Sequence, residues 1–387
     1  MNRAEIIAAA RRVVVKVGTG VVTTAGGLDR RRVHLLADQV ARLAQGGRQV
    51  VLVSSGAVAS GLAKAGLRRR VRTLPEKQAA AALGQAGLMQ AYEEAFEARG
   101  RKVAQLLLTA GDLTQRSRYR NIQNTFFTLL EWEVIPIVNE NDTVSVAELR
   151  FGDNDKLAAM LTNLLGAELL ISLTNVDGLL DADPRVNPQA RRIPLVERVD
   201  AELLRAASAQ PDSVGMGGIL SKVRAADKAA RGGAHTIVAN GLMDDVLDRL
   251  AAGEELGTLF LPRPKALSAR KHWIAFTAMQ HGEVVVDEGA VRPLTEGGKS
   301  LLAAGVREVR GPFRAGEAVR VLGPGDCILG VGLVNYDSDR LEQIKGLRSS
   351  QIPAPRGKNG PREVIHRDDL VVFDLEEEES VACLLSN

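Results

Sequence analysis

Short segments, most of them apolar along their whole length, alternate with helical patterns through the first two-thirds of this 387-residue chain. The segments are residues 12–17, 49–53, 103–108, 134–138, 169–173 and 236–239. A strand that is apolar along its whole length is covered on both faces, which is typical of parallel sheets packed between helices. Aromatic residues make up only 3% of the chain, so aliphatic side chains must fill the cores. The pattern predicts an α/β fold whose crossovers are right-handed.

Helical patterns occupy the stretches between these segments. After Asp29, a good N-cap residue, the apolar residues Val33, Leu36, Val40 and Leu43 recur at spacings of three or four. Gly46 and Gly47 then end that pattern. Further helices are predicted over residues 76–99, 113–131, 156–165 and 222–231.

The pattern changes at the sequence LPRP, residues 261–264. Strand-like pieces separated by turn residues follow at 283–287, 305–309, 318–322 and 328–333. We therefore expect a first domain over residues 1–265 and a small β-rich domain over 275–373. Residues 374–387 carry a run of four glutamates and are expected to form a solvated acidic tail.

The overall charge excludes some classes of function. Fifty Lys and Arg residues against 47 Asp and Glu residues give a net charge of +3, which is a poor basis for binding nucleic acid or an anionic membrane. Two cysteines cannot make a disulfide framework, and no apolar run is long enough to span a bilayer. The N-terminus lacks a signal-type apolar core, so a cytoplasmic protein is expected.

Two familiar phosphate-binding motifs are incomplete. Gly298-Lys299-Ser300 resembles the end of a P-loop, but Pro293 stands where that motif needs its first glycine. Gly18-Thr19-Gly20 begins like a dinucleotide fingerprint, but its third glycine position is Thr23. Neither motif therefore assigns a nucleotide site.

Lys16 is anomalous because it lies within VVVKVG, an otherwise apolar strand. A lysine there is unfavourable unless it is paired, and one alternative is a side chain that reaches solvent at the strand end. The other is a cation beside a bound phosphate. Gly18 and Gly20 follow at once, and glycines after a first strand let backbone N–H groups approach an anion.

Lys222 is the second anomaly. It follows the sequence GMGGILS, residues 215–221, at the predicted start of a helix for which Ser221 is a plausible N-cap. A lysine in a first turn opposes the helix dipole unless an anion such as phosphate occupies that end. A solvated lysine after a glycine loop is the alternative.

Polar residues gather where predicted strands end. Ser54-Ser55-Gly56, residues 139–142 (NEND) and residues 174–178 (TNVDG) follow the second, fourth and fifth strands. Carboxyl ends of strands line the ligand crevice in α/β sheets. The sequence GDND, residues 152–155, adds three polar residues where a helix cap requires one or two. Asp155 could orient both lysines, and Asn154 could bind a substrate.

Two lysines, a carboxylate and glycine loops are what phosphoryl transfer needs, because that chemistry depends on positioning and charge neutralisation. The sequence resembles the amino acid kinase family, specifically its glutamate-phosphorylating members with a C-terminal PUA domain. The matching stretches are VVVKVGTGVV, VLVSSGAVASG, PIVNENDTVSVAEL, FGDNDKLAA, LTNVDGLLDADPR and GMGGILSKVRAAD, with VDEGA and HRDDLVVF in the PUA-like part.

The resemblance implies a three-layer sandwich followed by a small PUA-like barrel. It also implies roles for individual residues: Lys16 and Lys222 would stabilise the phosphoryl group in transfer, and Asp155 would hold them. Glutamate would be bound by Ser55, Asp142 and Asn154. ATP would be contacted by Lys16, Thr174, Asn175, Met216, Gly217, Gly218, Ile219, Leu220, Ser221 and Lys222.

The resemblance further implies magnesium carried on the nucleotide phosphates, feedback inhibition by proline, and assembly into dimers or tetramers. Three departures leave base preference open: Asn175 where Asp is frequent, Leu180 where Tyr is common, and an altered glycine loop. The rivals are an amino acid kinase with another acceptor and an RNA-binding protein. Fifteen basic minus thirteen acidic residues in 270–373 leave only +2, which makes RNA binding unfavourable.

Overall fold

The computed structural model describes residues 3–67, 73–144, 153–182, 187, 189–208, 218–264, 267–352 and 362–373. The chain divides into two compact units. The first comprises residues 1–113 and 117–266, and the second comprises residues 114–116 and 267–387. The predicted acidic tail, 374–387, lies outside the described residues.

The first unit alternates strands and helices as predicted. Its described strands are β1 (Arg12–Val17), β2 (Thr23–Thr24), β3 (Gly27–Leu28), β4 (Gln49–Ser54), β5 (Val103–Leu108), β6 (Ile135–Glu140), β7 (Leu169–Thr174), β8 (Leu195–Val196), β9 (His235–Asn240) and β10 (Thr258–Phe260). Its described helices are α1 (Arg3–Ala9), α2 (Thr19–Val22), α3 (Arg30–Leu43), α4 (Ala57–Lys64), α5 (Leu74–Glu97), α6 (Arg116–Glu131), α7 (Asp153–Leu165), α8 (Ala201–Ser208), α9 (Ile219–Arg231) and α10 (Val246–Ala251).

Eight of these strands form one sheet in the order β5-β6-β4-β1-β7-β9-β10-β8. The neighbours from β5 to β9 pair in parallel, and β10 pairs antiparallel with β9. Strand β1 therefore lies at the centre, where Lys16 is opposite Val53 on one side and Ser172 on the other. The predicted α/β fold with a mostly parallel sheet is confirmed.

Helices cover both faces of the sheet. Alternate residues of β1 point to opposite faces: Val13, Val15 and Val17 join one core with residues of α3 and α5, and Val14 joins another with residues of α6, α7 and α9. This is the expected three-layer sandwich. Lys16 shares the sheet face of Val14, which is the face that α7 and α9 cover.

Four strands run further than the apolar pattern predicts. β4, β6, β7 and β9 continue through Ser54, Glu140, Thr174 and Asn240, which lie beyond the predicted strand ends. Backbone hydrogen bonds to neighbouring strands do not depend on side-chain polarity, so the ladder extends into the polar residues. The polar ends are thereby held on the rigid sheet.

Two glycines bring α4 and α5 into backbone contact. A methyl group at Gly61 would overlap the carbonyl of Ala80, and one at Gly84 would overlap that of Ala57. Only glycine allows so close a crossing. Because α4 follows Ser55 and Gly56 directly, the crossing fixes α5 beside the end of β4.

The second unit is rich in β-structure. Its described elements are α11 (Ala269–Phe276), β11 (Gln280–Val286), α12 (Glu288–Thr295), β12 (Leu301–Leu302), β13 (Val306–Arg310), β14 (Ala318–Leu322), β15 (Ile328–Leu333), α13 (Ser338–Ile344), β16 (Glu363–Ile365) and β17 (Leu370–Val372). Five strands form a sheet in the order β13-β11-β14-β15-β17 around an aliphatic core, and β12 pairs with β16. Within the described parts of the chain, every helix is too short or too polar to cross a membrane.

Candidate active site

The reaction-centre lysine predicted on β1 is buried. Lys16 is only 5% exposed, although it lies on the central strand one residue from its carboxyl end. The backbone after it passes close to β7, since a methyl group at Gly18 would lie 3.2 Å from the Leu173 carbonyl oxygen. The alternative of a lysine that extends into solvent is therefore wrong for Lys16.

Asp155 holds Lys16 and Lys222 together. Its Oδ1 lies 2.6 Å from the Lys16 Nζ, and its Oδ2 lies 3.3 Å from the Lys222 Nζ. All three side chains are almost fully buried. We refer to these three residues as the lysine–aspartate triad. One carboxylate thus holds two ammonium groups that come from different elements, the central strand β1 and the helix α9.

The charge state of Asp155 follows from its surroundings. Burial alone would raise the pKa of this carboxyl group, whereas the two lysines lower it, with a further contribution from the Ser221 hydroxyl. The lowering effects dominate, so the pKa of Asp155 lies below its ordinary value of 3.8. Asp155 is therefore ionised at neutral pH.

The start of α9 differs from the prediction. The N-cap is Gly218, and Ser221 is the third helical residue, so the assignment of Ser221 as N-cap is wrong. Glycine is also accepted at this position. The Ser221 hydroxyl lies 2.7 Å from the Asp155 Oδ2 and 2.8 Å from the Gly218 carbonyl oxygen. Its side chain therefore contacts the carboxylate of the triad. Lys222 is the fourth residue of the helix rather than its first.

Asn154, the residue before Asp155, organises a second polar cluster. Its amide donates to the Ser55 Oγ at 2.8 Å and to the Asn139 Oδ1 at 3.0 Å. Its own oxygen accepts the Glu140 backbone N–H at 3.3 Å. Adjacent residues in the first turn of α7 therefore connect the lysine–aspartate triad with the ends of β4 and β6.

Asn139 and Gln85 were not singled out individually by the sequence reasoning. Asn139 is 4% exposed and donates to the Gln85 Oε1 at 2.8 Å. The sequence signal for Asn139 was its position at the end of an apolar strand. An amide there is expected to be buried, and a buried amide requires hydrogen-bond partners. Gln85 lies within the long helix α5, where a polar residue gives no comparable signal.

The backbone beneath Ser55 is anchored from the opposite helix layer. The Ser54 Oγ lies 2.8 Å from the Tyr92 hydroxyl, which is fully buried. Burial raises the pKa of Tyr92 to about 12, so its hydroxyl stays protonated at neutral pH. This pair fixes the end of β4 to α5.

Asp142 pairs with Lys77, which the sequence reasoning missed. The Asp142 Oδ1 lies 3.1 Å from the Lys77 Nζ, with the two side chains 12% and 19% exposed. Lys77 is the fourth residue of α5, the same position that Lys222 holds in α9. A lysine in the first turn opposes the helix dipole, so the signal that identified Lys222 was present at Lys77 as well.

The residues expected to contact ATP lie in two places. Thr174 ends β7, and its hydroxyl lies 3.4 Å from the Oδ1 of the exposed Asn175. Gly218, Ile219, Leu220 and Ser221 lie at the start of α9, where Ile219 and Leu220 pack against a small apolar cluster. Met216 and Gly217 lie outside the described residues.

The described residues include no group of three or more His, Cys, Asp or Glu side chains placed to hold a metal ion. Both oxygens of Asp155 are engaged by lysines.

A mostly parallel sheet with two buried lysines that share one carboxylate supplies the fixed cations that phosphoryl transfer requires. The model of the amino acid kinase family matches residues 11–240, and that of the PUA domain matches residues 282–355. The chain belongs to the amino acid kinase family and carries a PUA domain. The predicted family and the predicted kinase activity are confirmed.

Curated relatives that match this chain over nearly their whole length indicate a narrower class of kinase. The chain is 49% identical to a glutamate 5-kinase of Geobacter sulfurreducens over 372 residues, covering 96% of this chain and 100% of that protein. It is 49% identical to one of Citrifermentans bemidjiense with the same coverage, and 46% identical to one of Syntrophotalea carbinolica, covering 96% and 99%. The similarity thus spans both units.

Proposed function

We propose that this chain transfers the γ-phosphoryl group of ATP to the side-chain carboxylate of L-glutamate, yielding L-glutamyl 5-phosphate and ADP. This reaction is the first step of proline biosynthesis. The lysine–aspartate triad supports the proposal on the structural side, because it holds two cations in fixed positions and phosphoryl transfer requires such cations. The full-length similarity to glutamate 5-kinases supports glutamate as the acceptor.

The triad acts by position and charge. Lys16 and Lys222 contribute two positive charges and Asp155 one negative charge, which leaves +1 to meet the transferring phosphoryl group. The group carries its charge on equatorial oxygens during transfer, and ammonium donors fixed in advance stabilise that charge without reorganisation. Asp155 is a positioning residue, since it holds the two ammonium groups rather than the substrate.

The remaining predicted residues divide between the two substrates. Ser55, Asn154 and Asp142 bind glutamate, so that its side-chain carboxylate faces Lys16. Thr174, Asn175 and residues 216–222 contact ATP. Magnesium, carried on the ATP phosphates, neutralises phosphate charge when bound.

Acceptor identity is tested by trapping the acyl phosphate. With ATP and hydroxylamine, glutamate is expected to give a hydroxamate, because hydroxylamine captures an activated carboxylate. Aspartate, acetylglutamate and a nucleoside monophosphate, measured in parallel by ADP release, are expected to give at least about 100-fold lower kcat/KM. Turnover of one of these acceptors without glutamate hydroxamate would overturn the proposal.

Proline is proposed as a feedback inhibitor. It carries the α-ammonium and α-carboxylate groups of glutamate but has no side-chain carboxylate to receive a phosphoryl group. L-Proline is expected to lower hydroxamate formation most strongly at low glutamate concentration, with D-proline as the control. Equal inhibition by both enantiomers, or none by either, would contradict this proposal.

We further propose a cytoplasmic homo-oligomer, either a dimer or a tetramer. The domain boundaries proposed are 1–265 for the kinase domain, 275–373 for the PUA-like domain and 374–387 for the acidic tail.

A further inference from the structure

The Lys77–Asp142 ion pair lies beside the predicted glutamate site and has no role in the triad. Its Nζ–Oδ1 distance is 3.1 Å, and both side chains are mostly buried. Burial weakens screening by solvent, so each charge acts strongly on a ligand beside it. An ion pair in this position can therefore act on the charged groups of the substrate.

Helix α5 holds Lys77 against the same strand end that carries the polar cluster of Asn154. The crossing of α4 and α5 places α5 beside the end of β4. Gln85 of α5 contacts Asn139 in β6, and Lys77 of the same helix contacts Asp142, two residues beyond β6. One rigid helix therefore contributes two side chains to the edge on which Ser55 and Asn154 lie.

The charges of the pair match those of an α-amino acid. Glutamate carries an ammonium and a carboxylate on one carbon atom, and its second carboxylate must reach the lysine–aspartate triad. Asp142 can accept the ammonium but repels the α-carboxylate. A cation adjacent to Asp142 removes that repulsion and pairs with the α-carboxylate.

We propose that Lys77 binds the α-carboxylate of glutamate, so that Lys77 and Asp142 together form a clamp for the zwitterionic end of the substrate. This inference rests on the proposed function and adds a specificity-determining residue to it.

The decisive experiment compares Lys77→Met with wild-type enzyme and with Lys64→Met, which removes an exposed lysine of α4. The KM for glutamate is expected to rise roughly 10- to 100-fold in Lys77→Met, because a charge-assisted contact to substrate is lost. Both kcat and the KM for ATP are expected to stay within about threefold of wild type. Lys77→Arg is expected to recover part of the lost affinity.

Glutamate α-amide separates substrate binding from positioning of Asp142. It keeps the ammonium and the side-chain carboxylate but has a neutral amide in place of the α-carboxylate. Its inhibition constant against glutamate is expected to be no higher in Lys77→Met than in wild type. If Lys77 merely positioned Asp142, glutamate and the amide would weaken equally, and the proposal would be overturned.

Two further outcomes are decisive. A glutamate KM in Lys77→Met within about twofold of wild type overturns the proposal. If Lys77→Met does not fold, as judged by thermal unfolding, wild-type enzyme alone still decides, since it must prefer glutamate to the α-amide by at least about tenfold. Wild-type enzyme that fails to phosphorylate glutamate would instead refute the proposed function, so the two failures are distinguishable.

Discussion

Replacing Lys222 with methionine is expected to lower kcat for glutamate phosphorylation roughly 10³-fold, because one of two fixed cations at the transferring phosphoryl group is lost. Methionine fills a similar volume without the charge. Asp155 keeps the Lys16 ammonium at 2.6 Å and the Ser221 hydroxyl at 2.7 Å, so no buried carboxylate is left alone. The thermal unfolding temperature should therefore change little compared with the loss of turnover.

The matched control for this variant is Arg224→Met, which removes an exposed cation two residues further along α9. It is expected to keep kcat within about twofold of wild type, since an exposed charge contributes little. Steady-state kinetics at saturating ATP and glutamate, with circular dichroism to verify folding, compare the two variants. Turnover of Lys222→Met within about tenfold of wild type would remove Lys222 from the mechanism.

Violations of local rules marked Lys16 and Lys222 as candidate phosphate-binding residues, with a solvated lysine as the alternative for each. Lys16 interrupts an apolar strand, and Lys222 sits in a first helical turn, and in both cases an anionic partner relieves the violation. In the structure the partner of both lysines is Asp155. Its distances to the two ammonium groups could not be derived from the spacing of these residues in the sequence. The position of the sheet could likewise be predicted, because uninterrupted apolar runs leave few alternatives.

Other contacts could not be predicted because they depend on how helices cross. Lys77 reaches Asp142, and Gln85 reaches Asn139, only because α5 crosses α4 in backbone contact at Gly61 and Gly84. Neither glycine looks unusual in a run of small residues. The start of α9 was misplaced for a simpler reason: Ser221 is a favoured cap residue, yet Gly218 caps the helix, and the Ser221 hydroxyl binds Asp155.

Replacing Asp155 with asparagine is expected to lower the free energy of unfolding at pH 7 by about 3–5 kcal/mol, because two buried ammonium groups lose their shared carboxylate. Turnover should also fall, since asparagine cannot hold both lysines by charge. The matched control is Asp248→Asn, which breaks the solvent-exposed ion pair with Arg42. That change is expected to alter stability by no more than about 1 kcal/mol. Denaturant unfolding of both variants measures the difference.

The pH dependence provides an independent check on Asp155. Its pKa in the folded protein lies below the ordinary value of 3.8, so its ionised form stabilises the fold above that value. This contribution is lost as the pH falls through the lowered pKa. The stability gap between wild type and Asp155→Asn should therefore be full at pH 7 and narrow below about pH 4. A gap that stayed constant or widened on acidification would show that Asp155 is not held ionised by Lys16 and Lys222.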